Sequence, residues 1–115
     1  MPFVSTERTS PPVSLREAIF QGLAPDGGLY MPEAFPVLSP ATLAGFRGKE
    51  WPRVASTVAK ALLSRELKAE IVESVTADAL DFPLPLIQLR ENIFVLELFR
   101  GPTLAFKDFG ARFMA

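Results

Sequence analysis

The sequence has no cysteine and no histidine among its 115 residues. Without cysteine there is no disulfide framework and no thiolate metal site. Without histidine, Ser-His-Asp and Cys-His nucleophile pairs are excluded, together with most transition-metal sites. Net charge is scarce as well: 12 Lys and Arg against 13 Asp and Glu leave −1. No strong field of either sign therefore points to nucleic acid as a partner. No apolar run approaches the ~18 residues that a membrane span needs. The opening "MPFVSTERTSPPVS" lacks the basic and apolar regions of a secretory signal. A cytoplasmic chain with neither a membrane nor nucleic acid as partner is the expectation. Carboxylates, amines, guanidinium groups, a phenol and hydroxyls are left to do chemistry, unless a cofactor brings its own.

Apolar residues make up 49% of the chain, enough for one small folded domain with a modest core. Four helices are expected in the front part. Ser14-Leu15-Arg16-Glu17 is a capping box that opens a helix over 15–21, with Gly22 placed to stop it in a left-handed conformation. Ser39-Pro40 opens a second helix, which Gly45 and Gly48 limit to about two turns. Pro52 opens a third, over 54–64, with Val54, Val58, Ala61 and Leu62 on one face. Leu67, Ile71, Val75 and Ala79 form the apolar stripe of a fourth. Between the first two helices, Asp26-Gly27-Gly28 is a turn signal followed by an extended Leu29-Tyr30-Met31. Asp26 and Tyr30 read either as substrate contacts or, the stronger reading, as a structural turn with an aromatic packed over it.

The pattern changes at "DFPLP", residues 81–85, where prolines end the helical part. "LIQL" and "IFVLELF" are strand-like runs, separated by Arg90-Glu91-Asn92 as a hairpin connection. The second run is apolar on both faces except for Glu97, as in a strand entering a buried sheet. Gly101-Pro102-Thr103 then breaks the extended run, and Thr103 is placed to N-cap a helix from Leu104. Helical spacing would align Leu104, Lys107, Ala111 and Met114, with Lys107 the one polar member, and would pair Asp108 with Arg112 on the polar face. A lysine in an apolar first turn is disfavoured as a cation by desolvation and by the helix dipole. That is the setting of a Schiff-base lysine. The alternative is a side chain that snorkels to water beside Asp108. A phosphate loop fits less well, because the spacing from Gly101 to Lys107 departs from G-x-x-x-x-G-K-[ST].

"LELFRGPTLAFKDFGARFMA", residues 96–115, resembles the segment around the pyridoxal-phosphate lysine of threonine synthases, whose usual form reads LELFHGPTLAFKD. "VSLREAIFQGLAPDGGLYMP", residues 13–32, resembles the N-terminal region of the same family, with its Q-G-L-x-x-D-G-G-L-Y-x-P pattern. The two motifs stand in the family's order at opposite ends of the chain. The resemblance implies a fold-type II enzyme, an α/β protein overall, of which this chain is the front portion. It implies a mostly helical N-terminal domain over residues 1–80, then the hairpin and first helix of the catalytic domain over 81–115. The implied activity is pyridoxal-phosphate-dependent conversion of O-phospho-L-homoserine and water to L-threonine and phosphate. Lys107 would hold the cofactor as a Schiff base and then act as general base and acid, and Phe106 would pack near the pyridine ring. The family's phosphate-binding loop, pyridine-nitrogen partner and substrate-phosphate residues have no counterpart in this stretch. Arg100 stands where the family usually has histidine, which leaves the role of that position open.

Two other readings are an enzyme that releases phosphate from the same substrate without making threonine, and a helical interaction module whose lysine is incidental. Residues 1 to about 80 are expected to close a core around Leu15, Ile19, Val58, Leu62, Leu67, Ile71 and Val75. The apolar hairpin beyond them has nothing further in this sequence to cover it, so self-association of the 115-residue chain is expected.

Overall fold

A computed structural model describes residues 1–115. The first strand, β1 (Phe3–Ser5), pairs antiparallel with β2 (Tyr30–Pro32), in register Phe3 to Pro32 and Ser5 to Tyr30. Between them lies α1 (Leu15–Gln21). Its capping box forms as the sequence implies: Ser14 Oγ accepts from the Glu17 N–H at 3.2 Å, and Glu17 Oε2 accepts from the Ser14 N–H at 2.8 Å. Gly22 ends the helix at φ 73° and ψ −67°, which is a γ-turn rather than a left-handed helical cap. The Leu23 N–H closes that turn on the Gln21 carbonyl at 2.9 Å.

Helix α2 (Pro40–Ala44) is a single turn capped by Ser39. Helices α3 (Trp51–Leu63) and α4 (Ala69–Ala79) form an antiparallel pair, joined at the surface by an ion pair of Lys60 with Glu73. Helix α3 begins three residues earlier than the spacing suggested, because Pro52 occupies the second helical position, where its missing N–H costs nothing. The buried face of α4 also differs from expectation. Val72, Thr76 and Ala79 are the buried residues, whereas Ile71 and Val75 are exposed. Thr76 joins the apolar face because its hydroxyl donates to the Val72 carbonyl at 2.6 Å, which satisfies its one polar group within the helix.

Strands β3 (Leu86–Arg90) and β4 (Ile93–Leu96) form the expected hairpin, with an irregularity in register between Gln88 and Arg90. Every residue in the two strands is exposed. The last helix, α5 (Asp108–Met114), returns to pack on α4.

The best-covered apolar cluster joins the front and back of the chain. Ala79, Leu80 and Phe82 are buried together, with Trp51, Ala55, Phe109 and Phe113 packed against them. The Phe82 ring meets Phe109 edge-on at 5.0 Å, and Trp51 lies 5.9 Å from Phe109. Trp51 Nε1–H donates to the Phe82 carbonyl at 3.0 Å. Arg112 adds polar ties: Nε donates to the Ala79 carbonyl, and Nη2 to the Asp78 carbonyl and the Asp81 carboxylate, each at 2.8 Å. The core thus depends on residues past position 80. Of the residues expected to close it among 1–80, all but the exposed Ile71 line open apolar clefts instead. One, of about 510 Å³, runs past Val58, Leu62, Leu84 and Phe113. Another, of about 300 Å³, runs past Leu15, Ile19, Leu67 and Val75.

Candidate functional site

Two polar constructions stand out, each centred on an aspartate with a glycine pressed against it. In the first, Asp26 collects hydrogen bonds from three segments. Oδ1 accepts from Ser5 Oγ–H at 2.6 Å and from the Gly28 N–H at 3.0 Å. Oδ2 accepts from the Ser10 N–H at 2.8 Å and from the Thr9 N–H and hydroxyl at 3.1 and 3.0 Å. These bonds, the one from Ser5 above all, hold the Asp26 carboxyl well below the usual carboxylate range. Gly28 lies directly against the knot. A Cβ there would overlap Ser5 Oγ and sit 2.9 Å from Thr6 Oγ1 and 3.0 Å from the Glu7 backbone nitrogen. Of the Gly27-Gly28 pair only Gly27 needs its positive φ, 85°, while Gly28 is needed for space. All the carboxylate oxygens' partners are internal, so Asp26 acts as a structural knot. Tyr30 is likewise occupied, its hydroxyl donating to Gln21 Oε1 at 2.7 Å.

The second construction carries the sequence-predicted lysine. The helix expected from Leu104 does not begin there. Residues 101–107 form successive turns, Leu104 adopts φ 59°, and α5 starts at Asp108 with Lys107 as its N-cap. The reason lies in Asp108, whose exposure is only 4%. Its Oδ2 accepts from the Thr103 N–H at 2.9 Å and its Oδ1 from the Thr103 hydroxyl at 2.6 Å. The Thr103 side chain is therefore committed to Asp108 and does not cap a helix, as short polar side chains do when a local partner competes with the backbone ladder. Those same bonds, with the Arg112 guanidinium a smaller contributor, hold the Asp108 carboxyl below its ordinary range. Arg112 itself bonds to Asp78, Ala79 and Asp81, so the expected Asp108–Arg112 pair across one helical turn does not form.

Lys107 is exposed, and its amine makes no hydrogen bond or ion pair. It neither snorkels to Asp108 nor sits in the apolar line with Leu104 that helical spacing implied. Phe106 beside it is exposed, its ring 5.9 Å from Phe109. Arg100 pairs with Glu97 through a 2.6 Å bond from Nε, and its guanidinium stacks 5.3 Å from the Phe99 ring. The structure thus brings Phe106 and Lys107 together at the end of one turn, with Arg100 on the strand exit before it. Asp108 and Thr103 are functional candidates that helical spacing missed, because it placed them on a helix the carboxylate prevents.

Solved structures of this shape are enzymes. Over 99% of its length the chain matches a threonine synthase from Escherichia coli, with a TM-score of 0.90 at 33% identity. Over the same share it matches a threonine synthase from Brucella melitensis with pyridoxal phosphate bound, with a TM-score of 0.87 at 39% identity. The chain covers 27% and 26% of those two, so its architecture is that of a part of each enzyme. Among curated relatives, threonine synthase from Haemophilus influenzae is 43% identical over 105 residues, covering 90% of this chain and 24% of that protein. The family model for the threonine synthase N terminus matches residues 2–80, and the chain belongs to that family. It spans about a quarter of the length of the relatives it matches.

Proposed function

We propose that this chain is the front portion of a pyridoxal-phosphate-dependent threonine synthase of fold type II, converting O-phospho-L-homoserine and water to L-threonine and phosphate. In this reading residues 1–80 form the N-terminal domain, residues 81–115 begin the catalytic domain, and the enzyme works in the cytoplasm. No helix is long and apolar enough to cross a membrane.

The observation that carries the reading is the state of Lys107. Its amine has no partner in the chain, while the backbone beneath it is fixed by the bonds from Thr103 to Asp108. A free primary amine on a fixed mount fits a carbonyl-bearing cofactor, and Lys107 is the residue that would hold it. Phe106 offers an exposed aromatic face next to that amine, suited to packing near the pyridine ring. Bound there, pyridoxal phosphate would supply a sink for the negative charge that develops on the substrate. Lys107 Nζ would take a proton from the substrate and return it at the neighbouring carbon. Phosphate recognition falls to residues beyond this segment.

The test uses the full-length protein loaded with pyridoxal phosphate and reduced with borohydride. Peptide mapping is expected to place the label on Lys107, and supplying O-phosphohomoserine should yield threonine and phosphate in equal amounts. A label on Lys49, Lys60 or Lys68 would overturn the site. Phosphate released with 2-oxobutyrate and ammonia in place of threonine would identify a phospho-lyase.

A further inference from the structure

The turn that carries Lys107 is built at some cost to itself. Leu104 sits at φ 59°, a conformation that a leucine side chain disfavours. Asp108, the first residue of α5, turns its carboxylate back to Thr103 and away from the first-turn N–H groups of its own helix. Gly101 is pressed so close that a Cβ would overlap the carboxylate and lie 2.7 Å from Asp108 Cβ. Two backbone bonds complete the turn: the Leu104 N–H donates to the Gly101 carbonyl at 3.0 Å, and the Asp108 N–H to the Ala105 carbonyl at 3.1 Å. Strand exit, turn and helix start are thus locked to one another through a single buried side chain. Local strain retained by surrounding bonds is characteristic of segments that hold a reactive group.

We propose that Asp108 is a positioning residue: packed against Gly101 and bound to Thr103, it fixes the backbone of Lys107 and so the direction in which the amine meets pyridoxal phosphate. The proposal rests on the reading of Lys107 as the cofactor lysine. Its logic is leverage. Asp108 follows Lys107 directly, and the lysine amine stands about 6 Å from its own Cα. A rotation of the backbone by about 10° therefore displaces the amine by about 1 Å, an error that can cost on the order of 100-fold in rate. Within this chain the Lys107 amine has no partner of its own, so its direction follows from its backbone.

The test compares Asp108→Asn, Thr103→Ala and Thr103→Ser in the full-length protein, each checked for folding by circular dichroism. The readouts are the rate at which added pyridoxal phosphate develops its protein-bound absorption, the borohydride-trapped label on Lys107, and kcat and KM separately. Asp108→Asn and Thr103→Ala are expected to slow cofactor capture and lower kcat by about 10- to 100-fold with KM for the substrate unchanged. Thr103→Ser, which keeps the hydroxyl, should recover most of the wild-type capture rate. A folded Asp108→Asn protein that captures cofactor at the wild-type rate on Lys107 would overturn the proposal and leave the lysine assignment standing. If Asp108→Asn does not fold, the threonine pair decides: equal capture rates for alanine and serine would sink the idea. A wild-type label on any other lysine would remove both readings together.

Discussion

Near the amino end, the Asp26 carboxylate gathers donors from Ser5, Thr9, Ser10 and Gly28; near the carboxyl end, the Asp108 carboxylate takes both of its bonds from Thr103. Each has a glycine with no room for a Cβ packed against its bonds. The parts match, yet the spans differ. Asp26 reaches partners up to 21 residues away and ties β1 to the turn that leads into β2. Asp108 reaches five residues back and shapes a single turn. Removing the first should therefore loosen the fold of the front half, while removing the second should misaim one side chain with little change in the fold.

The regions differ also in how well they are covered, and the largest expected effect follows from that. The front half holds α3 against α4, whereas β3 and β4 present every residue to solvent as an unpartnered apolar ribbon. The 115-residue chain by itself is expected to self-associate. Replacing the directly paired Ile87 and Val95 with lysine and glutamate should return it to monomer in sedimentation velocity. A parent chain that is already monomeric would show that the ribbon is not sticky. Next in size, Gly28→Ala should cost about 1–3 kcal/mol, read as a lower urea midpoint, because the added Cβ meets both the Ser5 side chain and the Glu7 backbone. An unchanged midpoint would mean that the knot can relax at no cost.

The smallest effect is in acid. The carboxyls of Asp26, Asp108, Glu17 and Glu73 all titrate below their ordinary values in the folded chain. Their contribution to stability is therefore complete above the unfolded carboxylate range, near about pH 4, and is lost as pH falls through the depressed values. The urea midpoint should decline below about pH 4, and Asp26→Asn should flatten that decline. A decline of equal slope in the variant would assign the acid sensitivity elsewhere.

How much of this was legible in the sequence follows the range of the interactions. Ser14 with Glu17, Ser39 with Pro40, and the two strand-like runs about Glu91 are local signals, and each element formed where they lie. Strand β1 carries no local signal, because its three residues gain strand character from partners distant in sequence, Val13 for Phe3 and β2, 25 or more positions away, for all three. The buried face of α4 was misplaced because Thr76 counts as polar in a sequence, yet it hides its hydroxyl on Val72. Lys107 stands out in the sequence by its apolar neighbours and the Gly-Pro-Thr turn before it. Its mount was misread as helix, because propensity carries no record of Asp108 turning back to Thr103. The sequence singles out Lys107, whereas the bonds from Thr103 to Asp108 that fix its backbone are legible only in the fold.

The single tryptophan has a consequence of its own. Trp51 belongs to a helix of the front half, yet its indole N–H is bound to the Phe82 carbonyl and its ring touches Phe109, two residues past the lysine. Indole fluorescence shifts with hydrogen bonding and with the wetness of its surroundings, so this protein carries its own optical gauge at the seam between scaffold and lysine turn. Emission from one residue would report, in real time and without a label, whether α5 is seated. A chromophore captured on Lys107 would be near enough to dim it.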